Sequence, residues 1–135
     1  MTSDEKRRVL ARYRIQQAEE SLDEAKFLLS GDKSPRSIIN RLYYAMFYGV
    51  LALLVYEPYS SSKHSGVVSY FNRRFIKGGV FPKELGLWIN KAFELRQRGD
   101  YREQVELSVE QIQPFIERAA AFIEAVKGQL QTEKR

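Results

Sequence analysis

Apolar residues recur along this chain at alternating steps of four and three, the spacing of one helical face, and the organisation they imply is helical throughout. Ala11, Ile15, Ala18, Leu22, Ala25 and Leu29 draw a single seam along a long first helix that Gly31 ends. Ser34 and Pro35 read as the N-cap and first-turn proline of a second helix running to about Tyr56. Pro58 and the serines Ser60 to Ser62 form a loop. A third helix is expected from about Ser62 to Ile76, with Gly78 and Gly79 as its stop. Pro82 opens a fourth, whose buried stripe is Leu85, Trp88, Ile89, Ala92 and Leu95 and whose end is Gly99. The last seam runs Val105, Val109, Ile112, Ile116, Ala119, Ile123, Val126, Leu130, with Ser108 and Gln111 spaced as a capping box. Pro114 lacks a backbone donor, so this helix either kinks there or becomes regular only beyond it. The terminal QLQTEKR is expected to fray. No repeat, linker or second core is visible, and residues 1–135 read as one all-α domain.

The second helix departs from a plain core pattern. Arg41 to Tyr48, reading RLYYAMFY, sets one cation and three tyrosines in an otherwise apolar stretch. Arg41, Tyr44 and Tyr48 share one helical face, while Tyr43, Phe47, Val50 and Leu54 share another. One face can pack while the other meets a partner, or the phenols can simply sit at the bundle rim, where an apolar ring and a polar tip are both satisfied. Leu42 to Val55 is nearly all apolar but shorter than a bilayer span, so it reads as a central helix and not as a membrane segment.

Charge changes the picture in one place. The net charge is +5, and between Glu57 and Glu84 there is no acid while Lys63, Arg73, Arg74, Lys77 and Lys83 supply the whole excess. Such a one-sign segment, interleaved with Tyr59, Tyr70, Phe71, Phe75 and Phe81, can attract phosphate and offer rings for stacking. Val67, Val68, Phe71 and Phe75 fall at helical spacing, which assigns most of these rings to the core. With no cysteine, disulfides and thiolate metal sites are excluded, and the charged amino terminus lacks the apolar stretch of a signal peptide, so a cytoplasmic location is expected. No glycine-rich phosphate loop, GxSxG turn or paired histidines on a helix are present.

RLYYAMFY after a long amphipathic helix, then KHSG, then RQRGDY ahead of a final helix, together resemble the HEPN family, the higher eukaryotes and prokaryotes nucleotide-binding domain, in its small stand-alone bacterial and archaeal branch. The resemblance covers nearly the whole chain. It implies an up-and-down four-helix bundle core with an additional helix, a homodimer, and a possible pairing with a minimal nucleotidyltransferase in a toxin and antitoxin module. Many relatives of this kind are ribonucleases that use no metal.

The family's ribonuclease signature places a histidine a few residues after an arginine. The arginine steadies charge on the scissile phosphate and the histidine moves a proton for attack by the ribose 2′-hydroxyl. Arg96 matches the arginine, but Tyr101 stands where the histidine is expected, with Asp100 before it as a substitute base. A phenol is mostly protonated at neutral pH, and Asp100 and Tyr101 can equally be structural. His64, the only histidine, lies with Lys63 at the expected start of the third helix, where backbone amides already favour an anion. Arg41, Tyr44, Tyr48, Lys63 and His64 are therefore the candidate nucleotide or RNA contacts, and Arg96, Asp100 and Tyr101 the candidate catalytic residues. No metal and no cofactor are implied. The expected function is a dimeric module that binds a nucleotide, an RNA or a nucleotidyltransferase without cutting; the alternative is a metal-independent endoribonuclease toxin using Arg96 with a non-histidine base.

Overall fold

A computed structural model describes residues 1–100, of Asp100 the backbone alone, and residues 106–133. Its helices are α1 (Ser3–Ser30), α2 (Pro35–Leu54), α3 (His64–Phe71), α4 (Lys83–Asp100), α5 (Val109–Ile112) and α6 (Phe115–Glu133), with a π-helical turn at Asn72–Lys77. There is no strand among the described residues.

Helix starts follow local chemistry. Thr2 accepts a bond from the Glu5 amide at the head of α1, and Ser34 accepts from the Ser37 amide with Pro35 in the first turn of α2. Ser108 and Gln111 form the expected capping box. Gln113 and Pro114 then form a turn that separates α5 from α6, so the proline breaks the helix and does not merely bend it. Val105, expected to begin the last seam, lies outside the described residues. Helix α6 continues to Glu133, and α2 stops at Leu54, two positions short of the expected end.

Four long helices make the bundle. Helix α2 packs on α1, α4 and α6, and its Ile38, Ile39, Leu42, Tyr43, Ala45, Met46, Val50 and Ala52 have no exposed surface. Directions can be traced from the contacts. Arg41 on α2 reaches Glu24 on α1, Lys127 on α6 reaches Glu19, and Gly99 near the end of α4 lies against Arg36 near the start of α2. Successive long helices thus run antiparallel, and the core is the up-and-down arrangement expected. Although α2 is long and apolar enough to cross a membrane, 67% of that window is buried between its neighbours. The α1 seam is buried from Ala11 to Ala25, and within it Ser21 donates to the Arg41 carbonyl at 2.6 Å. That bond satisfies a core hydroxyl and ties α1 to α2 beside the RLYYAMFY segment.

Two glycines act by close approach. A Cβ on Gly99 would lie 2.9 Å from Arg36 Cγ, so this residue, expected to end α4 and one position before its last described residue, also lets α2 come near. The third expected helix divides at Phe71, where the π-helical turn begins. Asn72 there bonds Asn90 on α4 at 2.9 Å, and a Cβ on Gly86 would come within 2.9 Å of Asn72 Oδ1. Phe71, Phe75 and Phe81 form an aromatic set in the core with Phe122, and Phe71 and Phe75 are buried as their spacing implied.

Candidate functional site

Three elements meet at one aromatic cluster. Helix α2 supplies Tyr43, Tyr44 and Phe47, the first residue of α3 supplies His64, and the end of α4 supplies Arg96. The His64 ring stacks on Phe47 with centroids 4.2 Å apart and meets Tyr44 edge-on at 5.5 Å. The Arg96 guanidinium lies 5.3 Å from the Tyr43 ring centre and 5.2 Å from that of Tyr44, and it donates to the Tyr44 hydroxyl at 3.3 Å. Arginine and histidine, 32 positions apart in the chain, thus share the same two tyrosine rings.

Electrostatics follow from this packing. Tyr43 is fully buried and its hydroxyl lies 3.2 Å from His64 Nδ1. Burial pushes the Tyr43 phenol well above its usual range, so the group keeps its proton. Burial and then the nearby Arg96 cation lower the His64 pKa, so the imidazole is neutral at pH 7. Each ring face offered to Arg96 contributes roughly 0.5–2 kcal/mol of cation–π attraction. Among the described residues Arg96 has no carboxylate partner, and its buried Nε has no hydrogen-bond partner. By contrast Arg98 pairs with Glu94 at 2.6 Å.

The candidate contacts named from sequence are partly gathered here. Arg41 lies 5.2 Å from the Tyr44 ring centre, so that ring is approached by two guanidinium groups, and Tyr48 continues the row at 5.7 Å. Arg41 also bonds Asn40 at 3.0 Å and Glu24 at 3.4 Å. A groove of about 330 Å³ lined by Leu28, Arg36, Ser37, Asn40 and Arg41 extends on that side. Lys63 is exposed at the N-cap of α3, and its side chain does not cap the helix. The Asp100 side chain and Tyr101 lie outside the described residues. Among those described, no three His, Asp or Glu side chains converge on a possible metal position.

Sequence reasoning placed Tyr43 and Phe47 on the packing face and stopped there. They are indeed buried, yet they also hold His64. The available signal was the hydroxyl itself, because a phenol on an otherwise apolar stripe needs a buried partner.

A HEPN domain model matches residues 11–129. The chain belongs to the HEPN family. Its relatives include a UPF0332 protein of Thermotoga maritima, 43% identical over 98% of both chains. Another, from Methanocaldococcus jannaschii and named "Putative toxin MJ0142", is 34% identical over 86% of this chain and 78% of its own. A second protein of that organism, "Putative toxin MJ0605", is 33% identical over 86% and 85%.

In this HEPN protein the lowered His64 pKa has a consequence for stability. The unfolded chain takes up a proton near the ordinary value of 6.5, whereas the folded chain does so only at lower pH. The contribution is complete above 6.5 and is lost as pH falls through the folded pKa. His64 is the sole histidine, and carboxylates titrate lower, so it dominates this window. The melting midpoint should fall between about pH 7.5 and 5.5. In His64→Asn, which leaves Tyr43 an acceptor, that slope should flatten; equal slopes in the two proteins would contradict the assignment.

Proposed function

We propose that this HEPN protein is a toxin-type module that binds the phosphate of a single-stranded RNA or a nucleotide at the Arg96–His64 cluster. The observation that carries the reading is the Arg96 guanidinium, held on two tyrosine rings beside the only histidine, at the uncapped start of a helix. A planar permanent cation matches a phosphate through paired N–H groups, and α3 adds its N-terminal amides. Tyr44 and Tyr48, half-buried, are placed for base stacking, and the acid-free segment from Pro58 to Lys83 supplies long-range attraction. The names of the Methanocaldococcus jannaschii relatives support the toxin character.

The same pairing of arginine and imidazole keeps metal-independent RNA cleavage as the second reading. It differs from the sequence expectation in one respect, since the base would be His64 from α3 in place of Asp100 or Tyr101.

Association as a homodimer, and with a minimal nucleotidyltransferase, belongs to this proposal. The family resemblance implies a dimer, while the apolar surface of α2 is mostly covered inside one chain. What supports an interface is elsewhere. Val9, Leu10, Tyr13 and Phe27 on α1 and Leu87 on α4 are exposed apolar residues. Light scattering should give twice the 15.8 kDa chain mass, and a monomer at micromolar concentration would count against the dimer.

Binding is tested with a 5′-phosphorylated single-stranded oligoribonucleotide in chelator, followed by fluorescence anisotropy. Arg96→Gln, folded by circular dichroism, should weaken binding at least tenfold or so, the loss expected for a charge-assisted contact. Affinity should also fall steeply with salt while the RNA stays intact. Undiminished binding by Arg96→Gln would overturn the site. Cleavage lost in both His64→Ala and Arg96→Gln would establish the second reading.

A further inference from the structure

The Tyr43 hydroxyl is enclosed in the core, and among the described residues His64 Nδ1 is its sole hydrogen-bond partner. A buried hydroxyl proton left without an acceptor costs free energy, and here only one acceptor among the described residues is within reach. The bond therefore runs from Tyr43 O–H to a bare Nδ1, which places the imidazole proton on Nε2. The opposite arrangement, Nδ1–H donating to the phenol, would leave the phenol proton without that acceptor in a core where the Tyr44, Phe47 and Phe93 rings lie 5.4, 5.6 and 5.5 Å from the Tyr43 ring.

We infer that Tyr43 is a positioning residue that fixes His64 as an Nε2–H donor, so that the Arg96 cluster offers a phosphate ligand only donors and no free imidazole lone pair. This rests on the phosphate-binding reading and sharpens it. Arg96 contributes N–H groups, His64 contributes Nε2–H, and the one basic nitrogen is already occupied inside the core. A cluster so arranged can hold a phosphoryl oxygen at neutral pH, but among the described residues it has no free base with which to take a proton from a 2′-hydroxyl. The stack on Phe47 holds the ring in the orientation that keeps Nδ1 turned to Tyr43.

Among the described residues the titratable and charged groups that face the imidazole are Tyr43 and Tyr44 from α2 and Arg96 from α4, with Lys63 next to it in the chain. Because a hydrogen bond to the neutral form opposes protonation, removing the Tyr43 hydroxyl must ease it.

The test is nitrogen-15 NMR of the ring in the free protein, where a single histidine makes assignment unambiguous. At pH 8 the expected spectrum is that of the Nε2–H tautomer, with Nδ1 carrying the hydrogen-bonded, unprotonated signal. In Tyr43→Phe the His64 titration midpoint should move up by on the order of half a pH unit or more. An Nδ1–H tautomer in the wild type would overturn the inference, since the free lone pair would then lie on Nε2. A midpoint unmoved in Tyr43→Phe would overturn it as well. Should both readouts come out as expected while the 5′-phosphorylated oligonucleotide leaves the His64 signals unshifted, the role of Tyr43 stands and the phosphate reading fails.

Discussion

A phenol with no exposed surface has to give its proton to something, and in this bundle the Tyr43 hydroxyl has His64. That requirement orders much of what surrounds it. It draws the first residue of α3 onto the middle of α2, which fixes how the chain returns after the Tyr59 to Lys63 loop. It holds the imidazole flat on Phe47, and the same tyrosine presents its ring to Arg96 from α4. The site is therefore an outgrowth of core packing: the residues that would meet a ligand are held by residues that cannot move without opening the core.

The placement of Arg96 shows the same economy from the other side. A guanidinium half-buried at the end of a helix would ordinarily be met by a carboxylate. Here tyrosine faces and one hydroxyl meet it among the described residues. Burial beside this cation also keeps His64 neutral, which is what makes its tautomer matter. The two groups thus influence one another in the free protein. That is the condition for acting on one ligand.

Much of the architecture was legible in the chain. The seams from Ala11 to Ala25 and from Leu85 to Leu95, the Ser34–Pro35 start and the Ser108–Gln111 box are local signals, and local signals survive folding. The π-helical turn after Phe71 was not legible, because it coincides with contacts to Gly86 and Asn90, which are distant in sequence. The second role of Gly99 was not legible for a related reason: it lies one residue before the last described position of α4, and its absent side chain also makes room for Arg36 from another helix. Among candidate site residues Arg96 was named by motif and His64 by its rarity. Their proximity was hidden, since the family signature directs attention to Tyr101, five positions after Arg96, and the histidine that shares the arginine's tyrosines comes from another helix.

Arg96 and His64 either form one site or merely share packing partners. A double-mutant cycle with Arg96→Gln, His64→Gln and the pair, each folded, measures this directly through the affinity for a 5′-phosphorylated oligoribonucleotide. If both groups grip the same phosphate, each single change should weaken binding and the double variant should be little worse than the more damaging single one, a coupling on the order of 0.5–3 kcal/mol. Losses that simply add, or a His64→Gln protein that binds as the wild type does, would show that the shared tyrosines serve packing alone.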